Sequence, residues 1–240
     1  MFPFTMAFQP IVDLQERRID GFEALVRGPD GDEAAGVLAR VTAENVYAFD
    51  QSCRVKAIEL AASLGMDRQL SINFLPNAVY DPRACIRATL DAAARTGFRP
   101  ERLTFEIVET EAIADTTHLL NIISEYRRQG FKIALDDFGA GYSGLTRLAE
   151  IKPDIAKLDR QVVQDCDQDP VRLAIVASMI RLGAEIGVKI VIEGVERAGE
   201  VEALRGVGAR FIQGFYFARP MFEGIASDAD IFGPVDAIGR

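Results

Sequence analysis

The sequence predicts an α/β fold: one (β/α)8 barrel over residues 1–240, with the first strand antiparallel to the second. Three observations carry that expectation. Eight short apolar runs occur along the chain, and helical periodicity follows the second run and each later one until the last. The first two runs are joined only by Gln15-Glu16-Arg17-Arg18, too short for the crossover that parallel neighbours need. A length of 240 residues, without linker, low-complexity tract or internal repeat, suits a single TIM-like barrel.

Taken in order, residues 5–14 and 19–27 form the opening strands, and the second runs into the turn Gly28-Pro29-Asp30-Gly31. Residues 33–64 read as helical, in one piece or two, because Ala57, Ile58, Leu60, Ala61 and Leu64 recur at helical spacing. A strand at 69–75 precedes a helix near 83–96. The strand at 102–108 precedes a helix near 115–129 that Gly130 closes. The strand 131–137 leads to a short helix from about Ser143, and the strand 154–159 to a helix near 170–186 opened by Pro170. Strand 188–193, a helix near 197–206 and strand 210–217 complete the set. A doubly wound open sheet would want a glycine-rich phosphate turn after an early strand, and none is there.

Composition narrows the chemistry. A net charge of −9 argues against DNA or RNA duplexes, which need clustered basic residues. It leaves room for a small anionic ligand, since bound cations reverse the sign of a site. Cys53, Cys85 and Cys166 are odd in number and far apart, which predicts free thiols and a reducing, cytoplasmic setting. The single histidine, His118, reads as a surface helix residue and leaves no His-rich metal site or Ser-His-Asp triad. No membrane segment is expected: Pro3 breaks the apolar start, and Arg181, Glu185 and Lys189 interrupt the longest apolar region.

Active groups of a parallel barrel gather where its strands end. The run Ile133-Ala134-Leu135 ends in two adjacent carboxylates, Asp136 and Asp137, followed by Gly139, Gly141 and Gly144. The other strand ends supply Glu23, Asn73, Glu106, Lys157 with Asp159, Glu193 and Gln213. Charged groups are almost never buried without partners, so a ring of carboxylates calls for cations. Oxygen ligands without His or Cys favour Mg²⁺ or Mn²⁺. Each residue alone is also compatible with a capping or turn role, and Asp159 and Glu196 stay open to it.

Glu23-Ala24-Leu25 with Arg27, Asn73 in Ser-Ile-Asn-Phe, and Glu106-x-x-Glu109 together resemble the EAL family of cyclic-di-GMP phosphodiesterases. So do Asp136-Asp137-Phe-Gly-x-Gly-Tyr-Ser, Lys157-Leu-Asp159, Glu193-Gly-Val-Glu196 and Gln213-Gly. The resemblance implies a homodimeric barrel enzyme that hydrolyses cyclic-di-GMP to linear pGpG with two cations. It makes Glu23, Asn73, Glu106 and Asp136 ligands of one cation, and Asp136, Asp137 and Glu193 ligands of a second. Lys157 would orient water or neutralise transition-state charge; Glu193 is a ligand, a general base, or both. Gln9, Leu25, Arg27, Asp159, Glu196 and Gln213 fall at substrate-binding positions. Glu109 supports catalysis indirectly: it lies past its strand end, beside the loop from Gly139 to Leu145, and should accept backbone N–H groups there.

One stretch departs from the commoner family pattern. After Arg27 the chain follows Gly28-Pro29-Asp30-Gly31, and Glu44-Asn-Val-Tyr-Ala-Phe-Asp50 is similar to the subgroup linked to blue-light sensor domains. A separate sensor or regulatory protein is therefore a candidate partner. The Asp137-Phe138-Gly139 triplet is shared with protein kinases, but the glycine-rich and His-Arg-Asp loops are missing. The rival of a different class is a receptor or protein-interaction module that binds cyclic-di-GMP without hydrolysis. Such members lose cation ligands, and here every one is present.

Overall fold

The computed structural model describes residues 2–109, 115–141 and 144–233. Strands β1 (Thr5–Asp13) and β2 (Arg18–Arg27) form an antiparallel hairpin, as the short link requires. β3 (Gln69–Asn73), β4 (Leu103–Val108), β5 (Lys132–Phe138), β6 (Ile155–Leu158), β7 (Lys189–Ile192) and β8 (Phe211–Ile212) follow β2 in parallel succession. β1 also pairs antiparallel with β8, through Val12 and Ile212, and so closes the ring. The result is an eight-stranded mixed barrel with β1 reversed, in agreement with the sequence.

The helices that cover the barrel are α1 (Ala34–Leu38), α2 (Val46–Ser63), α3 (Pro82–Thr96), α4 (Thr116–Arg128), α5 (Gly144–Ile151), α6 (Arg160–Val163), α7 (Pro170–Ile186) and α8 (Ala198–Gly206). Their starts follow from local chemistry. Asp81, Asp115 and Asp169 each accept two backbone N–H groups from the first turns of α3, α4 and α7, contacts worth about 1 kcal/mol apiece. Pro82 and Pro170 occupy first-turn positions where a missing N–H costs nothing. Gly97 and Gly187 end α3 and α7 in the left-handed region. The core lies between sheet and helices, where Ala57, Ile58, Ile86, Ile122 and Tyr126 meet Leu70, Phe105 and Ile133.

The stretch 33–64 is two helices with a turn between them, one of the two readings the sequence left open. Three details differ from the sequence reading. β8 is two residues long: Gln213 still donates to the Ile192 carbonyl of β7, but from Gly214 the chain forms a turn, closed by the Phe217 N–H on the Gly214 carbonyl. A further strand, β9 (Met221–Phe222), pairs with Ala7 and Phe8 of β1, and a final helix α9 (Asp228–Phe232) follows. His118 is half-buried rather than on the surface: its ring Nε2 meets the carbonyl of Val79 and ties α4 to the loop before α3. Ser143 lies outside the described residues. Among the described residues no helix is long and apolar enough to cross a membrane.

Candidate active site

Alternation along each strand sends every second side chain into the barrel, and at the C-terminal mouth those positions carry Glu23, Asn73, Glu106, Asp136 and Lys157. The carboxylates among them, with Glu193, converge on the ammonium of Lys157. Lys157 Nζ lies 3.2 Å from Glu23, 2.9 Å from Glu106, 2.9 Å from Asp136 and 2.9 Å from Glu193. Lys157 and Glu106 are each 1% exposed. Burial by itself would lower the lysine's pKa, but the carboxylates around it outweigh that and hold it well above the usual range.

The carboxylates are shifted upward as well, which for an acid disfavours the charged form. Burial pushes Glu106 up to about 8, with Lys157 opposing and Glu23 and Asp136 adding repulsion. Asp137 is raised to about 6, first by burial and then by the charges of Asp136 and Asp159. Glu193 is held well above the ordinary carboxylate range, chiefly by burial. One ammonium does not neutralise this many acids.

A bulge explains how two successive aspartates both reach the site. The β5–β6 register jumps between Leu135 and Phe138, and Asp137 takes φ 53°. A left-handed conformation costs a non-glycine residue about 1–2 kcal/mol, and bulges of this kind re-aim side chains beside active sites. Consequently Asp136, Asp137 and Glu193 bring one oxygen each within 4.8 Å of one another, and so do Glu23, Glu106 and Asp136. The two groups share Asp136.

These residues fit a pair of hard divalent cations. The donors are oxygens only. Glu106 Oε1 is deeply buried without a hydrogen-bond donor. Such an oxygen is costly unless something positive faces it. Asn73 directs its amide N–H to Glu23 at 3.1 Å; the same amide turned over presents its oxygen instead.

Around the acids a cleft of about 300 Å³ is lined by Gln9, Glu23, Leu25, Asp159, Glu193, Glu196 and Gln213. Gln213 donates to Glu23 (2.8 Å) and Gln9 (3.2 Å), and Gln9 donates to the Ala218 carbonyl. Asp159 does cap α6, through the Gln161 N–H at 2.8 Å, while also lining the cleft. Arg27 stands apart: its guanidinium bonds to the Val26 carbonyl, and it does not line the cleft. Two lining residues escaped the sequence reading, Arg160 and Phe215. Arg160 pairs with Glu196 at 3.1 Å and also bonds the Gly194 carbonyl; its position directly after Asp159 was the available signal.

Glu109 is 2% exposed, and its Oε2 accepts the Gly139 N–H at 2.8 Å. Its own N–H donates to the Asp136 carbonyl at 2.9 Å. It thus grips the backbone on both sides of Asp137, as the sequence predicted for the loop contact.

Comparison with known proteins gives concordant results. A solved structure of a standalone EAL protein from Vibrio cholerae O395, in a c-di-GMP bound form, is 46% identical with TM-score 0.90, covering 94% of this chain and 95% of that one. Klebsiella pneumoniae BlrP1, in a manganese/cy-diGMP complex, is 38% identical with TM-score 0.88, covering 93% of this chain and 57% of that one. Among curated relatives, the blue light- and temperature-regulated antirepressor BluF of Escherichia coli is 28% identical over 93% of this chain and 56% of its own length. The cyclic di-GMP phosphodiesterase RocR of Pseudomonas aeruginosa is 35% identical over 68% of this chain and 41% of its own. The chain thus spans about half or less of these curated relatives. Residues 3–220 match the EAL domain family, more than two thirds of the whole, and the chain belongs to that family.

Proposed function

We propose that this domain hydrolyses one phosphodiester bond of cyclic-di-GMP, releasing linear pGpG, with Mg²⁺ or Mn²⁺ in a two-cation site. The supporting observation is the pair of carboxylate groups that share Asp136. Bound there, divalent cations supply Lewis acidity at a phosphoryl oxygen and lower the pKa of an attacking water. The chain's own residues do the rest. Glu23, Asn73, Glu106 and Asp136 hold one cation, and Asp136, Asp137 and Glu193 hold the other. Lys157, at the centre of the acids, stabilises negative charge that develops on the phosphoryl group. Gln9, Leu25, Asp159, Glu196 and Gln213 seat the dinucleotide in the cleft, and Arg27, which does not line it, would meet the dinucleotide only beyond that cleft. Glu193 serves as a cation ligand, as a general base, or as both.

Incubation with cyclic-di-GMP and Mg²⁺ or Mn²⁺ is expected to give pGpG by chromatography, with chelator abolishing the product and Ca²⁺ supporting little. Ca²⁺ is larger and takes a looser shell than a tight bridge permits. Tight binding without turnover in either metal would favour the second reading, a cyclic-di-GMP receptor or protein-interaction module. The antirepressor name of BluF gives that reading its weight; the complete set of acids weighs against it.

Cation binding should depend on pH. Glu106 (raised to about 8) and Asp137 (about 6) must give up protons to bind a cation. Mn²⁺ affinity is therefore expected to rise from pH 6 to above 8, with protons released in calorimetry. A raised carboxylate pKa also means that the cation-free fold binds protons the unfolded chain has lost. The contribution of these groups to stability is fully present below the ordinary carboxylate range and is lost as pH rises through about 8. With chelator present, Tm should be lower at pH 8.5 than at pH 6, and Mn²⁺ should remove the difference. A flat profile with chelator would remove the basis for these shifts.

The setting proposed is a cytoplasmic homodimer whose activity a sensor or regulatory protein controls. A groove of about 610 Å³ beside the Gly139 loop is lined by Phe138, Leu145 and Ile175, of which Leu145 is 61% exposed. A dimer mass by sedimentation, lost in Leu145→Asp, is the expected result; a monomer throughout would refute it.

A further inference from the structure

Helix α2 carries an ion pair that the site chemistry leaves unused. Arg54 is 0% exposed and Asp50 is 3% exposed, and the guanidinium pairs with Asp50 Oδ2 one helical turn earlier. Taking two charges out of water costs several kcal/mol per ion, and Arg54 Nε finds no acceptor at all. An apolar pair of similar volume would serve the core as well or better. Packing alone therefore does not account for these residues.

What the pair touches is specific. Asp50 Oδ1 accepts the Leu75 N–H at 3.0 Å, and Arg54 donates to the Tyr126 hydroxyl of α4 at 2.9 Å. The guanidinium lies 5.8 Å from the centre of the Phe74 ring and 5.6 Å from that of Phe105. Phe74 and Leu75 directly follow Asn73, and Phe105 directly precedes Glu106. Neighbours along a strand point to opposite faces, so the pair sits behind the strand ends whose front faces carry the two cation ligands. The Phe74 N–H, donated to the Glu106 carbonyl at 3.2 Å, joins those ends directly.

We propose that Asp50 and Arg54 are positioning residues: from outside the barrel they hold the ends of β3 and β4 so that Asn73 and Glu106 present their oxygens to one cation. This rests on the reading of Asn73 and Glu106 as cation ligands. Outer partners of metal ligands typically govern about 10–100-fold in metal affinity. A charged pair anchors direction as well as proximity, because Asp50 accepts a charge-assisted bond and the planar guanidinium stacks and donates at once.

The test is the double variant Asp50→Leu/Arg54→Met, which removes both charges together and leaves neither stranded. It is expected to fold with Tm at or above that of the parent. Its Mn²⁺ affinity, titrated without substrate, should fall at least ten-fold, and amide exchange at Phe74 and Leu75 should quicken. A purely structural pair would change Tm and leave Mn²⁺ affinity alone. If the double variant does not fold, Arg54→Lys decides: it keeps a charge for Asp50 but loses the planar fork, and should weaken Mn²⁺ binding several-fold. Unchanged Mn²⁺ affinity in the folded double variant, or failing that in Arg54→Lys, overturns the proposal. A parent protein that binds no Mn²⁺ overturns the cation reading itself, a separate outcome from parent binding with unaltered variants.

Discussion

Asp136→Asn is expected to lower turnover of cyclic-di-GMP by several orders of magnitude and to cost the protein both cations. Asp136 is the only residue common to the two carboxylate groups, so neutralising it withdraws a full charge from each. Lys157→Ala is the informative contrast. That change removes the ammonium lying 2.9–3.2 Å from four carboxylates but no cation ligand. Cations should still bind, while kcat falls strongly if the lysine stabilises the transition state. Breaking a buried charge cluster from one side costs about 3–5 kcal/mol, so Lys157→Ala should be markedly less stable with chelator and should recover with Mn²⁺. Isothermal titration beside steady-state kinetics separates the two variants. Equal loss of cation binding in both would show that Lys157 belongs with the ligands' scaffold and not with the chemistry.

Glu109→Ala carries the second large expected effect. The Glu109 carboxylate holds the Gly139 N–H, and its backbone holds the Asp136 carbonyl. Between those anchors lies Asp137 in its left-handed conformation. Without the carboxylate, the Gly139 N–H loses a charge-assisted hydrogen bond and turns to water instead. Only backbone bonds then hold the bulge, from Glu109, Ala140 and Asp159 to the carbonyls of Asp136, Asp137 and Phe138, and its relaxation toward ordinary strand geometry would turn Asp137 out of the site. The barrel should remain folded by circular dichroism, while turnover drops strongly and Mn²⁺ affinity weakens. Amide exchange should rise from Phe138 to Gly141. Glu109→Gln, which keeps an acceptor at that place, should recover much of the loss. Near-normal turnover with unchanged exchange in Glu109→Ala would reduce Glu109 to a buried residue of no functional consequence.

Much of the barrel was legible in the sequence because it is a matter of local chemistry. Alternating apolar runs, aspartate caps before Pro82 and Pro170, and glycines at helix ends are each read within a few residues. The order of the acids was legible for the same reason, since a strand's end is visible where its apolar run stops. β9 was not legible: Met221 and Phe222 pair with Ala7 and Phe8, more than two hundred residues away, and two residues carry no periodicity. His118 was misplaced because its partner is a backbone carbonyl in another loop.

By itself, then, the sequence determined which groups are available: oxygen ligands in abundance, one lysine among them, and no His or Cys site to compete. Direction and proximity were decided by tertiary structure. Successive residues of a regular strand face opposite ways, so only the bulge at Asp137 allows two adjacent aspartates to serve one site. Ring closure by β1 brings Gln9 against Gln213 and sets both beside Glu23. The central place of Lys157 arises from the same cause. Each depends on the curvature of a closed sheet, which no stretch of sequence contains alone.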